Sequence, residues 1–318
     1  MPIKITPATE AIRVEAICLT IYSQPGLGKT SLAFTASNPL LLDFDKGAYR
    51  AVDRRDVVQV SDWRDVADIE AKDVAGYDTI VIDTVGKALD CLSQDIMRAN
   101  SRLGYAGALN QQGWGQLGVR FGAFLRKLKA MGKDIVLVAH MDEQRDSDSI
   151  KERLKISGGS KDLVLTDSDA IARITVVNKE RHLIFSPTET SFGKDPAGID
   201  FMPIPMAGTR DYPDTLARVI SRIKEGLNAL SEEQVARKSE VEWFKANLPE
   251  MKSPDDINMV LGRAKKAGRD VAMMVVKRAD ELGLHFDERS HSYVWLEQMG
   301  ERMNEEAAAA EAENGEAA

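Results

Sequence analysis

The stretch Ser23-Gln24-Pro25-Gly26-Leu27-Gly28-Lys29-Thr30-Ser31 constrains this chain more than any other. The apolar run Ala16-Ile17-Cys18-Leu19-Thr20-Ile21-Tyr22 leads into it and reads as a buried strand. Ser31-Leu32-Ala33-Phe34-Thr35-Ala36 leads out with a helical pattern that should stop near Asn38-Pro39, because the residue before a proline is pushed out of the helical region. Strand, glycine loop, Lys-Thr and helix, in that order, are the context a phosphate-binding P-loop requires. Gly26 and Gly28 let backbone N–H groups turn inward around an anion, and the new helix aims the positive end of its dipole at the same spot. Lys29 is then placed to reach the terminal phosphates of ATP, and the Thr30 hydroxyl to hold Mg²⁺. The usual motif begins with Gly; here that position is Ser23, which can make the turn if its φ is negative. The plainer alternative is an ordinary glycine turn before a helix, and the co-occurrence of strand, Gly-Leu-Gly-Lys-Thr and helix argues against it.

Composition sets outer limits. At 318 residues the chain can bury one full core and a smaller second unit. Its 43% hydrophobic and 29% charged content is that of an ordinary globular protein, and no apolar run has membrane-spanning length. The start, Met1-Pro2-Ile3-Lys4-Ile5, lacks the apolar core of a signal peptide. Cys18 in a strand and Cys91 in a helix suit reduced, buried thiols, so a cytoplasmic location is expected. A net charge of −8 argues against a general polyanion-coating protein, although charge is uneven: residues 301–318 carry six Glu against one Arg.

Further strands follow the P-loop. Leu40-Leu41-Leu42-Asp43-Phe44-Asp45 is an apolar run ending in two acids, and such strand ends line the ligand crevice of open α/β sheets. Asp45 can there orient or deprotonate an attacking water, with a turn-capping acid as the alternative role; for Asp43 capping is the better reading. Val57 to Val60 is a short strand, and Ser61-Asp62 opens a helix through Ile69. Asp78-Thr79-Ile80-Val81-Ile82-Asp83-Thr84 is an apolar strand closed by Asp83, some fifty residues after the P-loop. That is a Walker B pattern, in which Asp83 bears on Mg²⁺ through a water opposite Thr30. Residues 85–100 read as a helix, 101–115 as a glycine-rich loop with Tyr105 and Trp114, and 116–131 as a helix. Arg120, Arg126, Lys127 and Lys129 on that helix form either a solvated face or a basic one. Asp134 to Ala139 is another buried strand, ending in His140. Two readings of His140 stand: a hydrogen bond to the γ-phosphate, or a satisfied structural histidine. Residues 141–155 and Ser157-Gly158-Gly159-Ser160-Lys161 read as a long charged loop, and 170–177 pairs with 182–185 around Asn178 to Arg181.

The Walker pair, the Leu41-Leu42-Asp43-Phe44-Asp45 strand and the position of His140 resemble the RecA superfamily. More narrowly, Gly113-Trp114-Gly115, Val138-Ala139-His140 and Ser191-Phe192-Gly193-Lys194 are similar to the phage nucleotide-binding ATPases of the Sak-four recombinase type. The resemblance covers roughly residues 15–205 and implies a RecA-like P-loop NTPase core, α/β, with a mostly parallel central sheet. It implies Asp45 as general base, His140 as the polar sensor linking ATP to a DNA-facing loop, and Lys194 as a cation acting on a neighbouring subunit's ATP. It implies single-stranded DNA as a partner and assembly as a homo-oligomer.

The expected organisation is an ATPase core over residues 1–205, a linker helix over 206–230, a helical module over 231–298 and a disordered acidic tail over 299–318. Ser231-Glu232-Glu233-Gln234 looks like a capping box, and Ser253-Pro254-Asp255-Asp256 like a second helix start. The helical module is a candidate docking point for a single-strand-binding protein. The expected activity is ATP hydrolysis tied to annealing or pairing of single-stranded DNA in phage recombination. Two rivals stand beside it: another P-loop enzyme, helicase-loader-like or kinase, and a nucleotide-gated scaffold without turnover.

Overall fold

The computed structural model of the protein describes residues 3, 5–146, 149–156 and 160–298. The glycine turn expected at 157–159 and the acidic tail at 299–318 lie outside the described residues. Two compact units are present among the described residues, one spanning Arg13–Ala229 and one comprising the residues up to Ile12 together with those from Leu230 to Gln298.

The first unit is the α/β core. Its elements are β1 (Cys18–Ser23), α1 (Lys29–Ala33), β2 (Pro39–Asp43), β3 (Asp56–Gln59), α2 (Arg64–Ala67), β4 (Thr79–Asp83), α3 (Val85–Ala99), β5 (Gly104–Tyr105), β6 (Ala108–Leu109), α4 (Gln111–Ala130), β7 (Asp134–Asp146), β8 (Ser149–Leu154), α5 (Ser160–Asp167), β9 (Ala170–Val177), β10 (Glu180–Ile184) and β11 (Phe201–Pro203). The unbroken helix α6 (Thr215–Asn247) begins in it. The sheet order is β11-β10-β9-β1-β7-β4-β2-β3, with β8 paired to β7. Neighbouring strands from β3 to β9 pair parallel, and β10 pairs antiparallel with both β9 and β11, so the mostly parallel sheet expected of a RecA-like P-loop core is present.

Central strands buried on both faces explain the continuous apolar runs. Leu40, Leu42, Ile80, Ile82, Ile135 and Leu137 face α3 and α4, while Leu19, Ile21, Leu41, Val81, Val136 and Val138 face α1 and the start of α6. Trp114 packs against the first of these cores. The register sets Ser23 opposite His140 and Asp43 opposite Asp83, so the carboxyl ends of β1, β2 and β4 meet β7 at His140 on one side of the core.

Several boundaries differ from the sequence reading. Helix α1 ends at Ala33, not near Asn38. Thr35 turns its hydroxyl back to the Leu32 carbonyl and accepts from the Leu216 N–H, which serves the start of α6 instead of a longer α1. The segment 101–115 is not one loop: it holds the β5–β6 hairpin, and α4 starts at Gln111, capped by Asn110 Oδ1 on the Gly113 N–H at 3.0 Å. The basic residues of α4 serve as internal ties, Arg120 to Asp95 at 2.6 Å and Lys129 to Asp169 at 2.8 Å. Residues 141–146 pair antiparallel with 149–154, where a loop was expected.

The second unit contains α7 (Pro254–Ala267), α8 (Arg269–Glu281) and a hairpin of β12 (Leu284–Asp287) and β13 (Ser292–Trp295). Phe244, Ile257, Val260, Val271, Val275 and Tyr293 form its core. The capping box at Ser253 is formed with Asp256. The one expected at Ser231 is not, because α6 runs straight through; the Ser231 hydroxyl accepts from the Ile12 N–H instead. The module is thus helices plus a hairpin. Leu284-His285-Phe286 and Tyr293-Val294-Trp295 supply the β-prone residues that a purely helical reading passed over.

Candidate nucleotide site

Each of the strands that meet on this side of the core delivers a polar group. They surround a cavity of about 310 Å³ whose lining includes Gly26, Gly28, Lys29, Thr30, Asp45, Asp83 and His140. The sequence therefore placed the P-loop, both acids and the histidine in one site.

The loop leaves β1 and turns at Gly26 (φ 84°) and Gly28 (φ 78°), a left-handed conformation that costs a glycine little. Because α1 has only five residues, fewer peptide dipoles add up than the expected longer helix would supply. Attraction for an anion therefore falls mainly on Lys29 and the loop N–H groups. Lys29 is 5% exposed, and its ammonium donates to the Ser23 carbonyl (3.1 Å), the Ser23 Oγ (3.1 Å) and the Gln24 carbonyl (2.9 Å). Burial pulls its pKa down to about 8, against the opposing pull of Asp83 and Asp45.

Thr30 Oγ1 donates to Asp83 Oδ2 at 2.5 Å, which brings the expected Mg²⁺ pair together. Asp83 is buried, and burial lifts its pKa to about 6; Asp43 and Asp45 push the same way, while the Thr30 hydrogen bond opposes them. A carboxylate held in that state favours a cation beside it.

The two acids after β2 have separate jobs. Asp43 is buried and its carboxylate accepts from the N–H groups of Gly47 (3.1 Å) and Ala48 (2.9 Å), which pins the turn. Asp45 instead opens onto the cavity, with Arg50 Nη2 3.9 Å away. His140 is half-buried, and its Nδ1 has no hydrogen-bond partner among the described residues. Burial, then the charge of Lys29, holds its pKa below the ordinary value and keeps the ring neutral. Lys194 is not part of this cavity: its ammonium donates to the Ser168 carbonyl at 2.6 Å, beside β9.

Sequence reasoning missed two neighbours, Arg50 and Arg181, and one contact of the P-loop. Arg50 lines the cavity from the turn after β2, where its distance from Asp45 was the available signal. Arg181, in β10, donates to the Leu27 carbonyl at 3.3 Å and lies where a Cβ on Gly28 would stand, a long-range contact without local signature. Gln24 donates to Glu143 at 2.6 Å, linking the P-loop to the β7–β8 hairpin.

Among solved structures the chain is similar to the crystal structure of the RadB recombinase, at 12% sequence identity and a TM-score of 0.34, over 56% of this chain and 84% of that one. No curated protein sequence matches the chain. Residues 15–197, more than half of the chain, match the AAA_24 family, an AAA domain. That span contains the P-loop, Asp45, Asp83, His140 and Lys194. With its glycine loop, buried lysine and Thr–Asp pair set on one side of the core, the protein belongs to this AAA domain family of P-loop nucleotide-binding proteins.

Proposed function

We propose that the protein is an ATP-hydrolysing recombination protein that binds single-stranded DNA and promotes annealing or pairing as a homo-oligomer, in the manner of the phage Sak-four recombinases it resembles. The observation that carries this reading is the placement of His140. It lines the nucleotide cavity, and the next residue, Met141, begins a hairpin extending to Leu154. A change at the triphosphate therefore has a covalent route of one residue to a separate surface element.

The residues present fit ATP and Mg²⁺. Left-handed glycines free the loop N–H groups for phosphate, the buried Lys29 supplies the cation, and Thr30 with Asp83 supplies oxygens for Mg²⁺. Bound Mg²⁺ neutralises charge that builds on the phosphates during transfer. Asp45 accepts the proton of the attacking water, and His140 donates or accepts at the γ-phosphate edge as a neutral imidazole. Lys194 can serve a neighbour's site only by leaving the Ser168 carbonyl. In this reading Tyr105, 84% exposed on the β5–β6 hairpin, offers a stacking face for a base. The module after Leu230 recruits a partner such as a single-strand-binding protein.

The test is ATP turnover of the full chain with and without single-stranded DNA, alongside Lys29→Ala. Turnover stimulated by DNA and abolished in the variant is expected. Turnover only with a phosphate-accepting small molecule indicates a kinase instead. Annealing that survives in Lys29→Ala, with no turnover by the wild type, indicates a scaffold.

A further inference from the structure

The first residue of the P-loop departs from the usual motif, and its surroundings give the serine a role. Ser23 ends β1, is fully buried, and is not among the residues with positive φ. The backbone here does not need glycine, so a side chain is tolerated. That side chain is fixed in direction: its hydroxyl donates to the Gln24 carbonyl at 2.8 Å. Its lone pairs are left for the Lys29 ammonium at 3.1 Å.

An ammonium has three N–H donors. Those of Lys29 meet three acceptors, the Ser23 carbonyl, the Ser23 hydroxyl and the Gln24 carbonyl, all from the first two residues of its own loop. With glycine at this position only the two carbonyls would remain, and one donor would face the cavity unpaired. A buried, unpaired charged donor is costly, so the serine stabilises this arrangement of the loop. The same bond must be given up, or shared, when a phosphate oxygen takes a donor from Lys29.

We infer that Ser23 is a positioning residue: its hydroxyl holds Lys29 against the base of the loop and lowers the affinity for nucleoside triphosphate by competing with phosphate for the ammonium. The inference rests on the nucleotide site proposed above. It assigns the hydroxyl a restraining role, and its removal should tighten binding. Charge-assisted hydrogen bonds set the scale, and Ser23→Ala and Ser23→Gly should each bind ATP about tenfold more tightly than the wild type.

The measurement is calorimetric titration of the full chain with ATP and Mg²⁺, and separately with ADP, for wild type, Ser23→Ala, Ser23→Gly and Ser23→Thr. Both variants without the hydroxyl should tighten for ATP, and Ser23→Thr, which keeps it, should stay near the wild type. Thermal melts without nucleotide should show both variants folded and slightly less stable, because Lys29 loses an acceptor. In a Lys29→Met background, Ser23→Ala should leave residual affinity unchanged. Unchanged or weaker ATP affinity in both Ala and Gly variants overturns the inference, as does equal tightening in the Lys29→Met background. If one variant fails to fold, the other decides. Wild-type protein that binds no ATP at all sinks the nucleotide reading itself, a result distinct from wild-type binding that Ser23 does not influence.

Discussion

Strand β7 has two halves that meet at His140, and they are held by different forces. From Asp134 to Ala139 every residue is buried between parallel neighbours β1 and β4. From Met141 onward the strand leaves the sheet's centre and pairs only with β8; Asp142, Glu143 and Gln144 are exposed. The first half is fixed by apolar burial. The second is fixed by backbone pairing and a few polar ties: Glu152 on Arg173, the Glu152 N–H on the Thr190 carbonyl at 2.7 Å, and Gln24 on Glu143. A rigid half that positions a catalytic edge and a lightly held half beyond it form the arrangement a nucleotide-driven switch needs.

The largest effect should come from the buried half. Leu137 is fully buried between two packed helices and the sheet. Leu137→Ala should lower the unfolding free energy by about 2–5 kcal/mol, read from denaturant melts. A loss well under 1 kcal/mol would mean that this half is not the anchor. At the junction, Asp45→Asn should leave ATP affinity intact and cut turnover by about 10²–10⁴-fold, the range for a positioned general base. Unchanged turnover removes Asp45 from that role. In the outer half, Glu152→Ala strands Arg173, whose side chain is 20% exposed. The cost should be about 3 kcal/mol, the low end for orphaning a buried charge. It should appear mainly as faster amide exchange across 141–154. A loss spread evenly over the core would merge the two halves into one unit.

The same contrast explains what the sequence could disclose. The buried half of β7, like β1, β2 and β4, is written in consecutive apolar residues, and the P-loop is written in a local spacing. Those signals placed Lys29, Thr30, Asp45, Asp83 and His140 in one cavity and separated Asp43, which caps a turn, from Asp45, which does not. The hairpin was invisible because residues 141–146 hold a single apolar side chain, Met141, and strand character there comes from cross-strand pairing with residues three to thirteen positions further on. Capping signals show the same limit. Ser253-Pro254-Asp255-Asp256 starts a helix because the chain before it is not helical, whereas Ser231 sits inside α6, where its pattern has no end to cap. Lys194 shows another limit: a Gly-Lys pair is too short a pattern to say that its ammonium meets the Ser168 carbonyl in this chain.

The smallest expected effect is the most specific. Gln24 belongs to the P-loop and Glu143 to the outer half of β7, and their side chains join at 2.6 Å on an exposed surface. Such a bond contributes about 1 kcal/mol, so Gln24→Ala should leave global stability nearly unchanged and raise opening of the hairpin roughly fivefold. Lys29, which donates to the Gln24 carbonyl, gives a reason for this tie to respond to ligand. When phosphate draws the ammonium away, Gln24 loses a restraint, and the hairpin should exchange its amides at a different rate in ATP than without it. Hydrogen exchange across 141–154, measured with and without ATP, should show that difference in the wild type and not in Gln24→Ala. If the variant keeps the full nucleotide response, the signal reaches the hairpin through His140 alone, and the two halves of β7 are coupled by the strand itself, not by the loop beside it.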